Sequence, residues 1–230
     1  MTRNDLAIYE KYSENWWDKE SPHFRTLHVV NEYRLTVFDR WIPEIKDLKI
    51  IDLGCGGGLF SKPLLERGAH VTGIDLSPAS IAVCKAECEA GTFLQGDITS
   101  LPFTKNSFDG VILADVVEHL PSYREALEEA ARVIKPNGFI FISTMNRTFF
   151  SKVIGVFLVE TLRLVPPGTH DHKLFVTPNE LDEILLPLGF KREFLQGAKP
   201  DIFKTLSTWK IHLKDDSNIS ITYTAGYRRH

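Results

Sequence analysis

Residues 49–77 read KIIDLGCGGGLFSKPLLERGAHVTGIDLS, and the fold follows from them. An apolar pair, Ile50 and Ile51, leads to Asp52 and Leu53. A glycine cluster follows: Gly54, then Cys55, then Gly56, Gly57 and Gly58. Leu59, Phe60, Leu64 and Leu65 recur at helical spacing until Gly68 stops them, and a second apolar run from Val71 to Ile74 ends on Asp75. Strand, glycine loop, helix, strand and acid in this order make the first βαβ unit of a nucleotide-binding α/β sheet. Glycine lets the loop turn tightly and lets a ligand lie against bare backbone. An acid closing the second strand, about 20 residues after the loop, is placed to accept hydrogen bonds from ribose hydroxyls.

The loop itself separates two ligand classes. A dinucleotide fingerprint needs glycine or alanine at its sixth position, where a pyrophosphate meets the helix N-terminus. Here that position is Leu59, and the pattern is Gly54, Gly56 and Gly58 preceded by Asp52. An acid just before the loop suits an ammonium group and repels a pyrophosphate. S-adenosylmethionine (SAM) has the ammonium and no phosphate. The cofactor candidates on these segments are therefore Asp52, Gly54, Gly56, Gly58, Asp75 and the adjoining Leu76.

Outward from this unit, the 230 residues with 43% hydrophobic and 25% charged content suit one domain with a substantial core. A net charge of −3 with scattered Lys and Arg gives no basis for nucleic-acid binding. Cys55, Cys84 and Cys88 fit no zinc-ribbon spacing, and Cys84 and Cys88, four apart in a helical pattern, read as small apolar helix residues of a reducing, cytoplasmic compartment. The N-terminus carries Asp5, Glu10 and Glu14 without an apolar h-region, so neither a secretory signal nor a transit peptide is expected.

Residues 1–47 are expected to be helical, with Tyr9, Tyr12 and Trp16 in register and Phe24, Leu27, Val30, Tyr33, Val37 and Trp41 following. These aromatics either pack the helices onto the domain or form a lid over the ligand; both readings stand. Ser77 and Pro78 open a helix as N-cap and first turn. Phe93 and Leu94 form a short third strand that leads to Asp97 and Ile98, where an adenine amino group could be bound. Residues 108–113 (FDGVIL) form a fourth strand reaching Ala114 and Asp115. An amphipathic helix from Pro121 closes at Pro136, Asn137 and Gly138, and FIFIST (139–144) is a strand of central type. The alternation predicts a doubly wound, Rossmann-like parallel sheet. An apolar insertion over 146–176 follows, then a helix from Thr177 to Leu188. Strand-like segments follow at 191–195, near 209–213 and at 219–223.

These stretches together resemble the class I SAM-dependent methyltransferases, and more narrowly the ubiquinone-biosynthesis O-methyltransferases. The narrower likeness lies in Trp16-Trp17-Asp18 with Leu27-His28, Asn31 and Arg34. It continues in DLGCGGG, in Asp115-Val116-Val117-Glu118-His119, and in STMNR with VPPGTHDHKLFVTPNEL. Three departures stand against it. Ser21-Pro22 replaces a glycine, Asp115 stands where glutamate is usual, and Ala198-Lys199-Pro200 replaces a tyrosine-asparagine-proline stretch. The resemblance implies a cofactor site at Arg34, Gly54, Asp75 and Ala114 and a polyprenylated catechol or phenol as acceptor. It also allows contact with other quinone-biosynthesis proteins. Two other functions remain open: methylation of a soluble aromatic metabolite, and a non-catalytic SAM-binding role in a quinone-biosynthesis assembly.

Methyl transfer to a phenol needs donor and acceptor aligned and the oxygen ionised. A phenol with pKa about 10 requires a base or a metal for this at neutral pH. Asp115, Glu118 and His119 are spaced to share one side of a helix start. They are candidate ligands for magnesium, zinc or manganese, and Glu118 and His119 are the candidate catalytic pair, with His119 as general base in the metal-free form. His170 and His172 are weaker candidates. Residues 149–165 are too short and too charged to span a bilayer, with Lys152, Glu160 and Arg163 among them. Phe149, Phe150, Val153, Ile154, Phe157, Leu158, Leu162 and Val165 nevertheless keep helical spacing, which suits a core helix or peripheral docking on lipid.

Overall fold

A computed structural model describes residues 4, 6–152, 171–201, 203 and 212–230. Two helices precede the sheet, α1 (Ala7–Lys11) and α2 (Arg25–Trp41), with a 3-10 turn at Ser13–Asn15 between them. The expected βαβ unit follows as β1 (Lys49–Leu53), α3 (Ser61–Glu66) and β2 (His70–Asp75). Next come α4 (Pro78–Glu87), β3 (Thr92–Gln95), β4 (Phe108–Ala114), α5 (Tyr123–Val133) and β5 (Ile134–Met145). The chain ends with α6 (Pro178–Leu185), β6 (Phe190–Pro200), β7 (Leu213–Asp216) and β8 (Thr222–Arg229).

The eight strands form one sheet in the order β3-β2-β1-β4-β5-β8-β6-β7. Strands β1 to β5 pair in parallel, as the βα alternation dictates. The order reverses beside β1, so the carboxyl ends of β1 and β4 flank a crevice, the place where open α/β sheets take ligands. The central strands are apolar on both faces: Ile50, Ile51, Leu53, Ile112, Leu113, Ile140, Phe141 and Ile142 are all fully buried.

Beyond β5 the sheet departs from a purely parallel one. β8 lies antiparallel between β5 and β6, pairing Phe139 with Arg228 on one side and Lys191 with Arg228 on the other. This last strand shares only 222–223 with the expected 219–223 and runs on to Arg229. Its sequence, TYTAGYRR, carries polar and small residues, yet Tyr223, Thr224, Ala225 and Tyr227 are buried between two neighbours. β6 likewise extends beyond the expected 191–195, and β7 begins at Leu213.

Local chemistry sets several boundaries. The Ser77 side chain caps α4 by accepting from the Ser80 amide, with Pro78 in the first turn. Thr177 and Glu180 form a reciprocal capping box on α6. α5 starts at Tyr123 rather than at Pro121, with Ser122 at its N-cap position, and Val117–His119 forms a separate 3-10 turn before it. Of the expected insertion over 146–176, residues 153–170 lie outside the described set, and with them most of the apolar 149–165 stretch and His170.

Candidate functional site

A cavity of about 460 Å³ opens at the carboxyl ends of β1, β2 and β4. Of the expected cofactor residues, Arg34, Asp52, Gly54, Gly56, Asp75, Leu76, Asp97, Ile98 and Ala114 line it. Asp115 and His119 line it too, and so do Leu6, Tyr9, Glu10, Trp16, Leu27 and Asn31 from the N-terminal segment.

The floor is built by β1, the glycine loop and β2. Asp52 is buried, and its carboxylate accepts from the Ser61 hydroxyl at 2.6 Å. Burial and the neighbouring Asp75 push its carboxyl up to about 7, against the Ser61 hydrogen bond. Asp75 accepts from the amides of Gly56 and Ser77, each at 2.9 Å. Burial raises its pKa as well, these amide bonds notwithstanding. The amide bonds fix the carboxylate at the mouth of the loop. Gly54 and Gly56 have φ of +73° and +51°, in the left-handed region that glycine enters at no steric cost.

The loop's missing side chains make room for the N-terminal segment. A Cβ at Gly57 would lie 2.3 Å from Trp16 Cγ, and one at Gly56 would lie 2.6 Å from Trp16 Cη2. Trp16 is buried there and donates from Nε1 to Ser80 Oγ at 3.0 Å. Trp17 donates to the Gly57 carbonyl at 2.9 Å, and Asn31 to the Leu59 carbonyl at 2.8 Å. Gly58, expected to meet the cofactor, does not line the cavity. Its bare face lies against the Cys84 and Cys88 thiols, 2.8 and 2.7 Å from where a Cβ would stand.

The wall after β4 differs most from expectation. Asp115 sits at φ +57°, a left-handed conformation that Asp tolerates better than most residues. The backbone therefore turns at Asp115 instead of entering an α-helix, and the expected common face for Asp115, Glu118 and His119 does not form. Asp115 is ion-paired with Arg34, whose Nε also donates to Ser143 Oγ at 2.7 Å. Glu118 is wholly buried and does not line the cavity; its Oε2 accepts from Thr144 Oγ1 at 2.7 Å. Among the described residues nothing hydrogen-bonds Glu118 Oε1. Burial and the Asp115 charge push the Glu118 carboxyl up to about 8. His119 does reach the cavity, with Nδ1 2.8 Å from Asn4 Oδ1.

These placements do not fit the tentative divalent ion. Asp115 is engaged by a guanidinium and Glu118 faces inward. Among the described residues no group of three His, Cys, Asp or Glu is arranged to hold a metal. His172 turns elsewhere, its Nε2 2.8 Å from the Thr148 carbonyl.

SAM, by contrast, fits the donor set. Glu10, Asp52, Asp75, Asp97 and Asp115 face the cavity with Arg34 as the one Lys or Arg among its lining residues, and Arg34 already neutralises Asp115. Such a surplus of carboxylate favours a cationic ligand over a phosphate. Tyr9, Trp16, Leu27 and Asn31 bring the N-terminal segment to the cavity, where the lid reading expects it.

Comparison with known proteins agrees with this chemistry. A family model described as a methyltransferase domain matches residues 51–142. A ubiquinone biosynthesis O-methyltransferase of Rickettsia canadensis is 34% identical over 97% of this chain and 95% of its own length. One of Pseudomonas aeruginosa is 33% identical over 98% and 96%. The chain belongs to the ubiquinone biosynthesis O-methyltransferase family. It is a SAM-dependent methyltransferase of class I. Solved structures extend the likeness in fold alone. The magnesium protoporphyrin IX methyltransferase of Synechocystis superposes with a TM-score of 0.67 at 18% identity, covering 99% of this chain and 96% of that one. A SAM-dependent methyltransferase of Thermotoga maritima gives 0.66 at 17%, covering 97% and 98%. Like these relatives in fold, the family member described here carries an α/β sheet of methyltransferase type.

Proposed function

We propose that this family member methylates a ring oxygen of a polyprenylated catechol or phenol on the route to ubiquinone. The observation that carries the reading is the acid-rich cavity of a cationic donor with an imidazole, His119, on its wall. The names of the relatives give oxygen methylation in ubiquinone biosynthesis, and the prenylated ring is the acceptor that the family resemblance implies.

SAM, when bound, supplies a sulfonium methyl open to displacement. Asp52 would hold its ammonium and Asp75 its ribose hydroxyls, while Leu76, Ile98 and Ala114 would flank the adenosine and Asp97 would meet the adenine amino group. Asp97 is exposed and already accepts from the Thr99 amide and hydroxyl, each at 2.8 Å, which holds its carboxylate still. His119 is the base in this reading. The ring is oriented by Asn4, whose Oδ1 lies 2.8 Å from Nδ1. Glu118 points inward and accepts from Thr144, on the turn that carries His119.

The acceptor's tail is expected to bring the chain to a bilayer as a peripheral protein. Phe149 and Phe150 support this, being 75% and 60% exposed. Among the described residues no helix is long and apolar enough to cross a membrane.

The test is incubation with methyl-labelled SAM and two catechols, one with a short prenyl tail and one without. Label on a ring oxygen of the prenylated catechol is the expected outcome. Preference for the tail-free ring, or transfer to nitrogen or carbon only, would overturn the acceptor assignment.

A further inference from the structure

The mechanism leaves Tyr9 unused, although it stands on the cavity wall among acids. Its ring is stacked on Trp16 with centroids 5.7 Å apart and planes at 14°, and Trp16 is stacked in turn on Phe24 at 4.3 Å. The Tyr9 and His119 rings lie nearly perpendicular, with centroids 6.2 Å apart. Trp16 is itself pinned between the glycine loop and Ser80, so the Tyr9 ring is backed on one face by a fixed aromatic stack. The ring therefore lines the cavity with a fixed aromatic stack behind it.

We infer that the Tyr9 ring is a binding surface for the methyl donor's sulfonium, and that it makes the site prefer the charged donor to its neutral demethylated product. A cation over an aromatic face is attracted by the ring quadrupole, and the attraction grows when water is excluded. The surrounding carboxylates act in the same direction. Burial, and after it the nearby Asp115, Glu118 and Asp75, disfavours ionisation of the Tyr9 hydroxyl, so the ring stays a neutral phenol. S-adenosylhomocysteine shares the adenosine and the amino-acid end with SAM but is an uncharged thioether. A ring that senses only the cation separates the two and eases product release. The inference rests on the donor alone and not on the identity of the acceptor.

The test compares three ligands by calorimetry: SAM, sinefungin (which carries an ammonium in place of the sulfonium) and S-adenosylhomocysteine. Tyr9→Phe keeps the ring and is expected to bind all three as wild type does, within about twofold. Tyr9→Leu is expected to lose about tenfold in affinity for SAM and sinefungin and less than about threefold for S-adenosylhomocysteine. Equal losses for all three ligands, or no loss, would overturn the inference. Ring-fluorinated phenylalanines at position 9 keep the shape while draining the ring's negative face, which covers the case that Tyr9→Leu does not fold. The SAM preference should fall stepwise with each fluorine, and a preference independent of fluorination would overturn the inference. Wild-type protein that binds none of the three would overturn the cofactor assignment as well.

Discussion

Asp52 is the residue on which the cofactor reading turns, and its titration gives that reading a measurable sign. In the folded chain its carboxyl titrates near 7, against 3.8 for the unperturbed group. Between those values the folded state holds a proton that the unfolded state has lost. Stability of the ligand-free protein therefore falls as pH rises from about 4 to about 7. Glu118, whose carboxyl burial also raises, adds to the same slope. A bound cation reverses the preference at Asp52 by favouring the carboxylate. SAM binding near pH 6 should then release a proton and tighten with pH, by at most about tenfold per unit below 7. Calorimetry in buffers of different ionisation enthalpy reads that release, and Asp52→Asn should abolish it. Unchanged proton release in the variant would move the effect to another group. His119 and Glu118 part company at the same scale. His119→Ala should lower turnover by about 100-fold or more while SAM affinity stays within about threefold of wild type. Glu118→Gln, which leaves the cavity wall intact, should keep turnover within about threefold. Steady-state kinetics in which both variants fall together would show that the buried acid and the imidazole act as one unit.

At the level of elements, the glycine loop and the N-terminal segment form one structure. Gly57 has an ordinary backbone conformation, so its missing side chain is explained by Trp16 alone. Gly57→Ala should evict Trp16 and loosen the strap from Ala7 to Trp17. The expected readings are a red-shifted tryptophan emission, faster proteolysis before residue 25 and weaker SAM binding. Wild-type emission and proteolysis would show that the indole has other room. The cost should approach that of truncating a buried tryptophan, about 3–5 kcal/mol. This pairing shows where sequence reading stops. The βαβ unit, the Ser77 cap and the start of α6 are legible because each is set by periodicity or capping within a few residues. The contact of Trp16 with Gly57 joins separate elements, and no local pattern encodes it. The antiparallel entry of β8 between β5 and β6 is hidden for the same reason: Phe139 and Arg228 become neighbours only in the folded sheet. The turn at Asp115 defeated helical spacing, since a single left-handed residue sends Glu118 inward and His119 to the cavity.

At the scale of the whole molecule, the proposed prenylated acceptor would have to reach a cavity beside the sheet from lipid. Phe149 and Phe150 follow β5 at the start of the expected insertion, and both rings are largely solvent-exposed, with Lys152 exposed beside them. Each ring contributes roughly 1.5–3 kcal/mol if fully withdrawn from water, enough in a pair for weak, reversible docking. Lys152 adds about 1 kcal/mol near an anionic surface. Because neither ring is part of the packed core, Phe149→Ser with Phe150→Ser should leave the melting temperature and SAM binding unchanged. The double variant should cease to sediment with anionic liposomes. Its turnover should persist on a short-tailed soluble acceptor and fall on a long-tailed acceptor presented in vesicles. Undiminished sedimentation would mean that the bilayer is met elsewhere on the chain. A drop in melting temperature would mean that the two rings are held by the protein itself and are not offered to lipid.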